Sequence, residues 1–228
     1  MATILQIETA TQVCSVALSL NGETIAFKEQ MAPNIHAASL TLFITEVMQN
    51  ARLNYADLDA IAISKGPGSY TGLRIGVSTA KGLCFALDKP LIGINTLEMM
   101  ANGFFKAQPD YKGLVCAMID ARRMEVFTAV YNQNLKEEVA VNAKIIDEQS
   151  FLEQLSNNEL TFIGDGALKC ESVIVNPNAK FSDQNYNSSI CMSNLAYEAF
   201  LAKKFEDVAY FEPFYLKDFV FTTPKAKV

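Results

Sequence analysis

The chain has 228 residues, half of them apolar and 19 % charged, which excludes general disorder and allows one large domain or two of about 100 residues each. Its 19 lysines and arginines stand against 25 acids, a net charge of −6, and only Arg52, Arg74, Arg122 and Arg123 are arginine. No basic face that would release counterions from a nucleic acid is visible, so a role with nucleic acid calls for a partner.

The opening MATILQIETATQ lacks the basic and apolar regions of a signal peptide, and no uncharged apolar run approaches a membrane helix. The cysteines Cys14, Cys84, Cys116, Cys170 and Cys191 are odd in number and form no Cys-x-x-Cys. They read as reduced thiols, and the expected location is the cytoplasm.

Thr3 to Ile7 reads as a β-branched strand, Glu8–Gln12 as a polar turn, and Val13 to Leu20 as a second strand. Asn21-Gly22 predicts a tight hairpin into a third strand, Thr24 to Glu29. Pro33 ends that strand, and Asn34 is the expected N-cap of a helix from Ile35 to Arg52. An apolar strand, Leu58 to Ser64, leads into GPGSYTG and a helix from Gly72 to Leu87. A short strand, Leu91 to Ile94, and a helix from Thr96 follow.

A second copy of the beginning then opens. VCAMIDARRMEVFTAVY from Val115 lies over TILQIETATQVCSVALS from Thr3, with Glu8 on Asp120, Val13 on Glu125 and Ala17 on Ala129. Duplication favours two similar α/β lobes, residues 1–106 and 107–228. The second continues with Ala140 to Ile146, a helix near Gln149 to Leu155 and a strand from Leu160 to Gly164. A helix from Leu195 to Phe205, capped by Ser193, is expected to pack back on the first lobe, and Thr222 to Val228 reads as a loose tail.

The glycine loop matches neither phosphate-binding fingerprint. Its third glycine is one residue late for a dinucleotide fold, and no Gly-Lys-Ser/Thr follows for a P-loop. The helix behind it is apolar nearly all round at about 100° per residue, so it is covered on more than one side. Gly72, Gly76 and Ala80 recur every fourth residue, the spacing that lets another helix approach closely. The cover is either this chain or a second polypeptide. The preceding helix carries a stripe through Leu40, Ile44 and Met48, and His36 stands at its start with no second histidine anywhere. A histidine metal pair and a Ser-His-Asp triad built elsewhere are thereby excluded. Glu8 and Asp120, in matching turns, either face one cleft and hold a metal–nucleotide or bond local backbone. Arg122-Arg123 is either a solvated turn or a contact for RNA or a partner's acids.

ILQIETATQVCSVALSLNGE, GPGSYTGLRIGVSTAKGLCFAL, PLIGINTLEMMA, MIDARRMEVFTAVY and EPFYLK together resemble the bacterial TsaB (YeaZ) family, from Ile4 to Lys217. The resemblance implies an actin-like fold of the sugar-kinase and Hsp70 type, with two related lobes. It implies a non-catalytic subunit of the machinery that adds threonylcarbamoyl to the adenosine beside the anticodon of tRNAs reading ANN codons. The catalytic relative, TsaD, binds metal through His-x-x-x-His and transfers the group from threonylcarbamoyl-AMP. Here the matching residues are His36-Ala37-Ala38-Ser39-Leu40, without the second ligand. Implied partners are TsaD and the ATPase TsaE, with tRNA met only through the complex, and a homodimer when alone. The implied interface is His36, Leu40, Ile44 and Met48 with Gly72, Gly76, Val77, Ala80 and Leu83. A residual nucleotide cleft would use Glu8, Thr9, Gly66, Asp120, Gly164 and Gly166, with no catalytic or metal-ligating residue and no required cofactor beyond weak nucleotide binding. Glu8 stands where the family commonly has Asp, and Lys217 where its C-terminal motif has Arg. The competing reading is an actin-fold ATPase or small-molecule kinase working alone; a metallopeptidase is a third.

Overall fold

A computed structural model describes residues 1–217, so the tail reading of Thr222 to Val228 lies outside the described residues. The elements are β1 Thr3–Glu8, β2 Val13–Leu20, β3 Glu23–Met31, α1 His36–Ala51, β4 Ala60–Gly66, α2 Tyr70–Leu87, β5 Leu91–Asn95 and α3 Thr96–Ala107. They continue as β6 Leu114–Asp120, β7 Glu125–Tyr131, β8 Glu137–Ile145, α4 Leu152–Asn157, β9 Leu160–Ile163, β10 Ala179–Phe181 and α5 Ser193–Leu201.

The strands form two five-stranded sheets, β3-β2-β1-β4-β5 and β10-β9-β6-β7-β8. Read from opposite edges, they have one order. In each, an antiparallel meander is followed by a strand parallel to the first. The duplication is thus a repeat of topology. The equivalence set from sequence slips by one residue in the second strand, however. Glu8 pairs with Ser15 but Asp120 with Val126, so Ala17 answers to Thr128 rather than Ala129, and Val13 to Met124 rather than Glu125. The second turn closes sooner because Arg122 and Arg123 both adopt positive φ, 71° and 50°.

β1 is buried along its whole length, as a central strand covered on both faces must be. α1 and α2 pack on the outer face of the first sheet, with Leu40, Ile44, Val47, Val77 and Ala80 against Leu5, Ile7 and Ile61. α3 and α5 lie between the sheets in one core that joins Ile4 and Ala62 to Val115, Ala117 and Ile163. α4 covers the outer face of the second sheet through Phe151 and Leu155. α5 does pack on β1 and β5 of the first sheet.

The hairpin turn is as expected, with Asn21 and Gly22 at φ 52° and 86°. Two caps differ. Asn34 is left-handed (φ 56°) and ends the loop, so Ile35 takes the cap position of α1 without a side-chain bond. Tertiary anchorage replaces the cap, because a His36 ring nitrogen lies 3.0 Å from the Val13 carbonyl. Ser193 is the first residue of α5 and not its cap; its hydroxyl is 2.9 Å from that of Thr24 on β3.

Candidate functional site

β4 delivers the chain to the glycine loop, and α2 carries it away. Ser69 caps α2 by accepting from the Gly72 amide (3.3 Å), while its own amide donates to the Ala10 carbonyl (2.6 Å). The loop is therefore bonded to the β1–β2 turn. A Cβ on Gly72 would lie 2.1 Å from the Thr9 carbonyl oxygen, and one on Gly76 would lie 2.2 Å from Thr9 Oγ1. The close approach that these glycines permit is made by Thr9 of the same chain. Their expected place against a second polypeptide is corrected accordingly.

The stripe on α1 has the same fate. His36, Leu40, Ile44 and Met48 are buried in this chain, as are Val77 and Ala80 on α2, and Leu83 is half-buried. What the two helices turn outward is a different set. Ala38, Leu42 and Thr45 on α1 and Gly82 and Ala86 on α2 are exposed, with Ile75 and Thr79 half-buried. Leu42 is 65 % exposed, and this set contains no charge. The charges of α2 turn away: Lys81 donates to the Ala209 and Phe211 carbonyls, and Arg74 to Tyr215.

A cleft of about 720 Å³ separates the β1–β2 turn and the start of α2 from Ile119, Asp120 and Asp165 of the second sheet. Residues 214–217 cross its edge. Of the six residues expected there, Asp120 lines it. Glu8 and Thr9 are sealed behind the turn. Gly66, Gly164 and Gly166 instead make room for backbone: a Cβ would meet the Phe214 carbonyl oxygen at 2.7 Å, the Met118 carbonyl oxygen at 2.2 Å and the Ile119 carbonyl carbon at 2.9 Å respectively. Glu8 accepts from the Ala10 amide, and burial still pushes its carboxyl up to about 7. Among the described residues, Glu8 Oε2 and Thr9 Oγ1 have no hydrogen-bond partner within bonding geometry.

Asp120 is held in a different way. Its carboxylate accepts from Lys169 Nζ (2.5 Å) and from the Arg122 amide (2.7 Å), and its amide donates to Asp165 Oδ1 (3.0 Å). Burial raises the Asp165 carboxyl above its usual range. The two acidic turns thus do not converge on one ligand, since one carboxyl is buried and the other is engaged by lysine. Among the described residues, no group of three or more His, Cys, Asp or Glu side chains is placed to hold a metal. Sequence reasoning missed Lys169, which lies 49 residues from Asp120, and the Tyr70–Tyr215 pair at 4.8 Å. No local pattern marks either one.

The family model for TsaD, described as tRNA N6-adenosine threonylcarbamoyltransferase, matches residues 29–224. The TsaB protein of Haemophilus influenzae, named for tRNA threonylcarbamoyladenosine biosynthesis, is 31 % identical over 225 residues, covering 95 % of this chain and 94 % of that protein. This chain belongs to the TsaB (YeaZ) family. The Escherichia coli TsaB is 34 % identical over 170 residues, 72 % of this chain and 71 % of its own length. A solved YeaZ from Pseudomonas aeruginosa superposes with a TM-score of 0.81 at 27 % identity, covering 95 % of this chain and all of that one. An activator of 2-hydroxyisocaproyl-CoA dehydratase from Clostridium difficile, solved with bound ADPNP, shares the fold at a TM-score of 0.51 and 10 % identity, over 89 % of this chain and 97 % of that one. The chain therefore has the actin-like fold, with two related lobes. Among its described residues, no helix is long and apolar enough to cross a membrane.

Proposed function

We propose that this TsaB-family chain is the non-catalytic scaffold of a tRNA threonylcarbamoyladenosine assembly, pairing with TsaD, joined by TsaE, and requiring no cofactor of its own. The observation that supports the reading is the start of α1. Where the catalytic relative carries a second metal ligand, this chain has Leu40, which is 1 % exposed in its own core. His36 is spent on the Val13 carbonyl. In such an assembly the chain contributes a surface, and the uncharged face of α1 and α2 is the surface it offers.

The partner helix packs over Ala38, Leu42, Ile75, Thr79, Gly82 and Ala86, where the small side chains of Ala38, Thr79, Gly82 and Ala86 let backbones come close. Leu40, Ile44, Met48, Gly72 and Gly76 support that face from beneath. The same face serves a homodimer when TsaD is absent, and tRNA is met in the complex. A self-sufficient ATPase or kinase would need Glu8 in the cleft, and Glu8 is sealed from it. The test is Leu42→Asp, which charges an exposed position without touching the core. Folding stays within about 0.5 kcal/mol of the wild type, while co-purification with TsaD and threonylcarbamoylation of tRNA are lost. A variant that still bound TsaD with unchanged affinity would exclude this face.

A further inference from the structure

Arg122 lines the cleft with Arg123 next to it in the chain, and on the other side Arg74 rests on Tyr70 and Tyr215, which also line it. We propose that the ledge formed by Arg74, Tyr70, Tyr215, Arg122 and Arg123 is a contact surface of this chain for single-stranded RNA, taking phosphates on the arginines and one base on the guanidinium plane of Arg74. The inference rests on the chain's place in an RNA-modifying assembly, and it replaces a purely indirect meeting with RNA by a direct one.

Arg74 is pre-positioned. Its Cζ lies 4.1 Å from the centroid of the Tyr70 ring, and its Nε donates to Tyr215 Oη at 3.2 Å. Tyr215 in turn lies against Tyr70, with ring centroids 4.8 Å apart. A guanidinium fixed by its face and its Nε keeps its terminal nitrogens for an oxyanion, with less rotamer entropy left to lose. Its exposed plane, backed by a tyrosine, is a stacking platform for a base.

Arg122 and Arg123 come from the other wall. They stand in consecutive left-handed positions, a backbone state that non-glycine residues enter only where the surroundings hold it. Lys169 holds it, donating to the Arg123 and Glu125 carbonyls at 2.8 and 2.7 Å as well as to Asp120. Both side chains are exposed, and neither makes an ion pair among the described residues. The nearby acids are engaged: Asp120 with Lys169, Glu125 with Lys217, and Asp165 with the Asp120 amide. Glu212, close enough to act on Arg74, is the carboxylate that tempers the ledge. An acidic peptide would pair with the arginines but leave the stacking surface unused, so the chemistry favours RNA.

The test is fluorescence anisotropy of the full-length chain with a labelled U12 oligoribonucleotide, at about 50 and 200 mM salt. Three phosphate contacts give a slope of log K against log[salt] near −2, since each single-strand contact contributes about −0.7. The double variant Arg122→Asn, Arg123→Asn, chosen because asparagine tolerates left-handed backbone, flattens the slope by about 1.4. Arg74→Ala weakens binding roughly tenfold through the lost stack. Arg52→Asn, an equal charge change at the exposed end of α1, leaves binding unchanged. Absence of binding by the wild-type chain, an equal loss in Arg52→Asn, or tighter binding of poly-glutamate than of U12 would each overturn the proposal. TsaD co-purification is scored in parallel. Ledge variants that lose RNA but keep TsaD support the proposal, and ledge variants that lose TsaD refute it. A wild-type chain that fails to bring down TsaD refutes the scaffold reading, whatever the RNA result.

Discussion

One nominal substitution, glycine to alanine, should act in opposite directions at two places on α2. At Gly82 a new Cβ meets nothing within 4 Å, so alanine only removes backbone freedom from the unfolded chain and improves helix propensity. The gain is about 0.5–1 kcal/mol, and for a chain of this size the melting temperature rises by roughly 1–4 °C. At Gly72 the same methyl would sit 2.1 Å from the Thr9 carbonyl oxygen, where ordinary contact begins at 3.4 Å. Helix and turn must then part by about 1 Å or more, and a carbonyl cannot rotate aside as a side-chain tip can. Overpacking of this kind costs about 3 kcal/mol, the upper end of its usual range. Offset by about 1 kcal/mol of propensity, it leaves a net loss of about 2 kcal/mol and a melting temperature lower by roughly 4–8 °C. Urea titration and thermal melts of the two variants beside the wild type measure both. A Gly72→Ala chain as stable as Gly82→Ala would mean that α2 does not lie on the β1–β2 turn.

Glu8→Gln should change how stability depends on pH. The folded carboxyl titrates near 7, above the 4.5 of an open chain, so this group stabilises fully below about pH 4.5 and its contribution falls away as pH rises to 7. The loss reaches about 3 kcal/mol. Urea midpoints from pH 5 to 8 should decline less in the variant than in the wild type, and parallel curves would contradict a Glu8 carboxyl raised by burial. Ser15→Ala should cost about 1–3 kcal/mol. The Ser15 hydroxyl accepts from the Ser189 amide at 3.1 Å, meets Ser189 Oγ at 2.7 Å and donates to Glu29 Oε2 at 3.1 Å, with both serines buried. An unchanged unfolding free energy would show that this network does not tie the segment before α5 to β2.

The strands, the Asn21-Gly22 hairpin and the doubled topology were legible because they are written locally, in alternation and punctuation. β10 was not, since three residues carry no period. The helix stripes were legible as stripes, but periodicity states that a face is covered and not by what. Gly72 and Gly76 therefore read as a partner's footprint, when the covering group is Thr9, brought round by the β1–β2 turn. At the cleft, Asp120 was visible as an acidic turn. Its lysine and the tyrosine pair come from distant segments and required the fold.

The core between the two sheets has a consequence for the chain as a lineage of two copies. Residues from both copies, Ile4 and Ala62 with Val115 and Ile163, close around α3, and α5 returns from the end of the chain to seal the first sheet. Each half supplies a wall that the other needs, so the ancestral unit can no longer be cut free and stand by itself. With their interiors fused, the copies should melt as one cooperative body, read as a single calorimetric transition.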